Sequence, residues 1–209
     1  MFSLQQLFGN GDRFQGLLEA AAQESHETVR LVIELMKSPR NTQSYDDLIL
    51  ARRKEKKISD EISTELVKTF VTGLEREDIE SLARGLYRIA KSAEKLAERL
   101  VMAGKHLDGL DFTQQAEMMA KATDAVHGMV KQLRDMKDLE RIKNFNDRLQ
   151  LVELEADKYM NELLREIYGG KYDALRAMII RDVNELMEKV VDRSHDAGNV
   201  VMQIVLKNS

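Results

Sequence analysis

The run Val183-Asn184-Glu185-Leu186-Met187-Glu188-Lys189-Val190-Val191-Asp192-Arg193-Ser194-His195-Asp196-Ala197-Gly198-Asn199-Val200-Val201-Met202-Gln203-Ile204 is helical in period. Val183, Leu186, Val190, Ala197, Val201 and Ile204 fall three, four or seven residues apart, which lines them up along one side of a helix. Glu188, Asp192 and Asp196 recur at every fourth position. At about 100° per residue they lie roughly 140–180° from the apolar stripe, so they face away from the helix's own core.

The same period runs through nearly the whole chain and predicts six helices. They span about Asp12 to Lys37, Ser44 to Val71, Glu75 to Gly104, Asp111 to Met136, Asp138 to Gly169-Gly170, and Tyr172 to Lys207. Ser38-Pro39 stops the first, because proline lacks an amide donor and clashes with the preceding turn. Glu75-Arg76-Glu77-Asp78 gives the third an acidic first turn that suits the helix dipole. Asp138 is the only cue that separates the fourth from the fifth. Gly9-Asn10-Gly11 reads as a turn before the first helix. No alternating run with a hairpin turn competes, so the class is all-α, with long helices packed as antiparallel neighbours.

Ile58-Ser59-Asp60-Glu61-Ile62 is similar in pattern to Glu155-Ala156-Asp157-Lys158-Tyr159, and each precedes a glycine break and a further long helix. Two units of three helices side by side follow, over residues 1–107 and 108–209.

Composition removes several functions. With no cysteine, disulfides, zinc ribbons, Fe–S clusters and thiol catalysis are all absent. The 32 basic and 36 acidic residues are interspersed, which is no footprint for nucleic acid. No apolar run approaches the roughly 20 residues that span a bilayer, and no signal peptide is legible at the N-terminus, so a cytoplasmic location is expected. Walker, nucleophile-elbow and His-Glu-x-x-His motifs are missing. His26, His106, His127 and His195 read as surface or boundary residues. Arg52-Arg53-Lys54-Glu55-Lys56-Lys57 reads as a solvated helix face.

The chemistry-bearing candidates are acids. Glu153 and Asp157 sit four apart on the fifth helix, and Glu188, Asp192 and Asp196 form the ladder on the sixth. Stacked carboxylates repel unless a cation, a base or solvent intervenes, and hard cations prefer oxygen ligands. A solvated acidic face explains the same pattern, since this composition yields about six acidic i, i+4 pairs by chance.

Glu153-Leu154-Glu155-Ala156-Asp157, the run Glu188-x-x-x-Asp192-x-x-x-Asp196-x-x-Asn199 and the segment Val205-Leu206-Lys207-Asn208 resemble the PhoU-like family. The nearest branch is that of phosphate transport regulators called Pit accessory proteins. Thr69-Phe70-Val71-Thr72 and Arg76-Glu77-Asp78-Ile79 resemble that branch's joint between the second and third helices. The resemblance implies two pseudo-symmetric three-helix bundles and a surface metal site, of iron, nickel or zinc, at Glu153, Asp157, Glu188, Asp192 and Asp196. It also implies a non-enzymatic role at a phosphate transporter on the inner membrane face. In the first half the matching positions are Lys56, Asp60, Tyr87, Lys91 and Lys95, only one of them acidic, so no metal is expected there. Eleven methionines suit adaptable apolar contacts and a homo-oligomer. A carboxylate-bridged di-iron oxidase of ferritin-like type and a metal-free helical adaptor are the alternatives.

Overall fold

Asp138 and Asp173 each begin a helix in the same way. Each side chain accepts a hydrogen bond at 3.0 Å from the backbone amide three residues on, Arg141 and Arg176, and so satisfies an otherwise orphaned donor of the first turn. Past the end of the helix that Asp138 caps, Gly170 turns the chain at φ 79°, a conformation that favours glycine. A computed structural model describes residues 4–37, 42–134, 136 and 138–208. In chain order the helices are α1 (Leu4–Lys37), α2 (Thr42–Lys68), α3 (Arg76–Ala103), a short 3₁₀ turn (Gly104–Leu107), α4 (Thr113–Gln132), α5 (Leu139–Tyr168) and α6 (Ala174–Lys207). No strand occurs among the described residues.

Three boundaries differ from the sequence reading by three residues or more, and one of them is the end of α2, which closes at Lys68, short of Val71. Helix α1 starts at Leu4, so Gly9-Asn10-Gly11 lie within it and form no turn. Extending an existing helix adds a hydrogen bond for each residue fixed, which offsets the poor propensity of two glycines. Helix α4 closes at Gln132, short of Met136. The stop assigned to Ser38-Pro39 lies outside the described residues.

Helices α1, α2 and α3 pack on one another, as do α4, α5 and α6. The trios meet along two seams, α3 against α6 and α1 against α4. Two layers result: α2, α1, α4 and α5 side by side behind, and α3 with α6 in front. The apolar stripes of all six helices feed one continuous core, running from Leu18 and Leu35 through Leu86 and Ile89 to Met129, Leu149 and Ile204. Each fully buried side chain of this size contributes about 1.5–3 kcal/mol. Ser25 of α1 donates to the Leu86 carbonyl of α3 at 2.9 Å, a polar tie inside the first trio. In the second trio Gln115 of α4 donates to Asn184 of α6 at 2.8 Å and also bonds the Tyr159 hydroxyl of α5.

The α1–α4 seam carries its own polar clasps. Gln15 donates to the Leu133 carbonyl at 3.2 Å, and Arg134 grips Glu19 through two nitrogens at 2.9 and 3.1 Å. Further along, the rings of His26 and His127 stack with centroids 5.5 Å apart, and His26 Nδ1 lies 3.6 Å from Asp124.

Candidate functional site

Helix α6 turns its ladder towards α5, and the packing brings all five acids singled out by sequence to one edge. Asp157 is exposed and Glu153 half-buried on α5; on α6 Glu188 is half-buried, while Asp192 and Asp196 are exposed. Burial pushes the Glu188 carboxyl up to about 7, and the charges of Asp192, Asp157 and Glu185 push the same way. Asp192 is raised by burial first, then by Asp157, Glu153 and Asp196, against a weaker pull from Arg193. Each acid feels the others because little positive charge lies between them. Arg193 takes Asp196 at 2.7 Å, and His195 Nδ1 approaches Glu153 only to 4.0 Å.

The outward orientation read from periodicity holds for Asp192 and Asp196. Glu188 departs from it. The residue lines a cavity of about 10 Å³, room for one water, with Gln115, Tyr159 and Asn184. Gln115 is 4% exposed, and its Oε1 has no hydrogen-bond partner. The inner end of the ladder therefore borders the same cavity as the polar network of the second trio.

The donor set suits a hard cation: five carboxylates in mutual repulsion, with oxygen ligands only. As the side chains stand, no group of three or more His, Asp or Glu among the described residues converges as an ion would require. Rotation of the exposed Asp157, Asp192 and Asp196 is needed to gather them. Asp192 and His195 sit on this outer edge, away from the bundle interior where a ferritin-like di-iron centre gathers its ligands.

On the first trio, Lys56, Asp60, Lys91 and Lys95 are exposed and Tyr87 is half-buried. The basic run read as a solvated face is corrected at two positions. Arg52 is 6% exposed and Glu55 0%. Arg52 bonds Glu55 at 2.7 Å and Glu94 at 3.2 Å, and its guanidinium lies over the Tyr87 ring. These two residues occupy core-facing positions of α2, and pairing is what makes their burial tolerable. The signal was in the spacing, since Glu55 falls seven residues after Leu48 and seven before Ile62, both fully buried. His26 and His127 are half-buried boundary residues, as read from the sequence, and they stack on each other across the α1–α4 seam.

No family model matches the chain. The UPF0111 protein YkaA of Bacillus subtilis is 22% identical over 151 residues, 69% of this chain and 70% of that protein. A PhoU-like protein from Shewanella oneidensis superposes with a TM-score of 0.78 at 14% identity, over 93% of this chain and 99% of the other. A second structure from that organism, of a PhoU-like phosphate regulatory protein, gives 0.77 with the same coverage. The fold is PhoU-like. PhoU of Pseudomonas aeruginosa itself superposes at 0.59 over 99% of this chain and 98% of its own length. Within the PhoU-like frame the acidic edge belongs to the second trio. The corresponding edge of the first trio carries Lys56, Lys91 and Lys95 instead.

Proposed function

We propose that this chain is a non-enzymatic regulator of phosphate transport or phosphate signalling. It acts by protein–protein contact with a phosphate transporter at the cytoplasmic face of the membrane, and the carboxylate edge of α5 and α6 holds a cation. The observation that supports the regulatory reading is the PhoU-like fold, extending over 93% of the chain in the superposition on a phosphate regulatory protein. No helix among the described residues is long and apolar enough to cross a membrane, which accords with docking on a transporter from outside the bilayer.

Glu153, Asp157, Glu188, Asp192 and Asp196 would hold the ion, and bound cation would supply the positive charge that relieves their repulsion. A ligand that binds only the folded state raises stability by mass action. The melting temperature of the parent should therefore rise with iron, nickel or zinc, and the rise should be lost in Asp192→Asn/Asp196→Asn. A parent unmoved by all three ions defeats the cation reading. The regulatory reading is tested separately, by phosphate uptake in cells with and without the gene. Unchanged uptake under phosphate limitation and excess would defeat it.

A metal-free helical adaptor is the second reading. Its specific support is that no three donors converge among the described residues. Under that reading the Asn pair is as stable as the parent or slightly more so, because each like-charge pair at i, i+4 costs about 0.2–0.5 kcal/mol.

A further inference from the structure

The exposed charges in the middle of α2 and α3 are all of one sign. At about 100° per residue, Arg53 and Lys57 of α2 lie roughly 160° from the buried Glu55, with Lys54 and Lys56 roughly 100° to either side of it. On α3, Arg84, Arg88, Lys91 and Lys95 lie roughly 140–180° from Leu86, which is 0% exposed. Between Ile49 and Ser59 of α2, and between Ser81 and Ala97 of α3, every exposed charged residue is a cation. The α3 row alone runs for about 16 Å at the helical rise. The two rows meet where Arg52 lies over Tyr87 and bonds Glu94, and one turn on from that joint stand Lys56 and Lys91. Arg84 takes Glu80; none of the other exposed cations of this band forms an ion pair or side-chain hydrogen bond with another described residue. A chain of net charge −4 thus keeps a basic band on the first trio. Its acidic edge lies at the opposite end of the row α2, α1, α4 and α5.

The same flank of α2 ends in apolar residues. From Arg52, steps of four, four, three and four lead through Lys56, Asp60 and Ser63 to Val67, which keeps Val67 on the side of Lys56. Val67 is 83% exposed and Phe70 88%, the two most exposed large apolar side chains among the described residues. Arg76 fixes the joint that carries them, donating to the carbonyls of Leu66 and Thr69. Acids beside this tip are taken up within the chain: Arg13 holds Glu65 at 2.8 Å, and Lys207 holds Glu75 at 2.8 Å and Asp78 at 2.9 Å. Asp60 and Glu77 are the exposed acids there without an ion pair among the described residues.

We propose that this band and its tip bind the surface of an anionic phospholipid bilayer, with headgroups against the cations and Phe70 and Val67 entering the headgroup boundary. Arg84 and Arg88 border one groove and Arg53, Lys54 and Lys57 another, so no single small anion meets all of these cations. An extended negative surface does. A soluble polyanion would match the charges but leave Phe70 and Val67 in water. A bilayer takes both, and attraction of basic residues combined with burial of apolar ones is what holds proteins at a membrane interface. The far position of the acidic edge keeps its repulsion from the lipid small, since salt screens it over that distance. The inference rests on the reading above only in placing the chain at a membrane; the lipid contact itself needs no transporter.

Flotation of the full chain with vesicles, in chelator, tests the proposal. At about 0.1 M salt the protein should bind vesicles of phosphatidylcholine with about one-third phosphatidylglycerol, and not vesicles of phosphatidylcholine alone. At about 1 M salt, where charges reach about 3 Å, binding should weaken sharply. Lys91→Glu/Lys95→Glu should weaken it by about a hundredfold and Phe70→Ser by about tenfold. Lys131→Glu/Arg148→Glu, exposed cations of the second trio, should leave it unchanged. Circular dichroism establishes that each variant is folded, and Lys91→Gln/Lys95→Gln, a gentler pair, should cost about tenfold. The chain has no tryptophan, so Phe70→Trp supplies a single reporter. Its emission should move to the blue on anionic vesicles and stay unchanged with soluble polyphosphate. No binding at low salt, equal binding to both vesicles, a lysine-reversed variant that still binds, a reporter unmoved on bound vesicles, or one moved equally by polyphosphate would each overturn the proposal. Failure here leaves the phosphate-uptake test standing, and unchanged uptake leaves lipid binding standing, so the two readings fail separately.

Discussion

Arg52 lies over the face of Tyr87 with its guanidinium carbon 4.2 Å from the ring centroid. Glu55 and Glu94 hold its nitrogens from the sides, so the ring, two carboxylates and one guanidinium lock α2 to α3. Replacing Arg52 by Met leaves Glu55 buried and uncompensated. The expected loss is about 3–5 kcal/mol in urea unfolding. The double variant Arg52→Met/Glu55→Leu should recover much of it, because an apolar pair removes the stranded charge. A single Arg52→Met within about 1 kcal/mol of the parent would mean the network contributes little.

Glu55 makes stability depend on pH in one direction. Burial pushes its carboxyl up to about 7, Arg52 pulls it down, and Asp60 and Glu24 push it up again. The folded state thus binds this proton more tightly than the unfolded chain, where the ordinary value is 4.5. Its contribution favours folding below about pH 4.5 and is lost as pH rises through about 7. The shift corresponds to on the order of 3 kcal/mol. Glu55→Gln should flatten the melting temperature between these limits, and a variant whose profile parallels the parent's would refute the assignment.

His127 acts in the opposite direction. Burial lowers its pKa from 6.5, and Lys131 and His26 add to the effect against Asp124 and Glu19. The folded state disfavours the protonated ring, so this contribution is present above 6.5 and fades as pH falls below it. His127→Phe keeps a ring against His26 and should remove that fading. Hydrogen exchange at pH 5.5 localises the effect: amides along the α1–α4 seam should exchange faster in the parent than in the variant, and equal rates would exclude it.

Gly198 lets α6 sit close to the core of the second trio. A Cβ there would lie 2.4 Å from Leu149 Cδ2, and Leu149 is 0% exposed. Gly198→Ala should cost about 1–3 kcal/mol through overpacking. In a Leu149→Ala background most of that cost should vanish, since the two residues share the space. An additive double variant would show that the backbone yields elsewhere.

How much of this was legible depended on how local each cause is. The cap of α5 at Asp138 could be read because donor and acceptor are three residues apart, and the acidic ladder because its spacing matches the helical period. That the ladder meets Glu153 and Asp157 could be anticipated from family resemblance but not from spacing, since it depends on how α5 packs. Glu55 was hidden by its neighbours: four of the six residues from Arg52 to Lys57 are exposed charges, and the run reads as solvent-facing unless each position is placed against Leu48 and Ile62. The stack of His26 on His127 and the Gln115–Tyr159–Asn184 network join residues from different helices. Only tertiary packing creates them, and no local pattern announces them.

The α3–α6 seam has a consequence for how the chain is made. Helices α1, α2 and α3 are consecutive and can assemble through local contacts as soon as they emerge from the ribosome. The flank of α3 on which α6 lies cannot be covered until α4 and α5 have also been synthesised and α6 follows. For that interval a nascent first trio presents an apolar surface with nothing on it, the kind of intermediate that chaperones engage and that aggregates when they do not. The closing step joins segments far apart in sequence, and such contacts form slowly. Assembly is therefore paced by the arrival of one late helix.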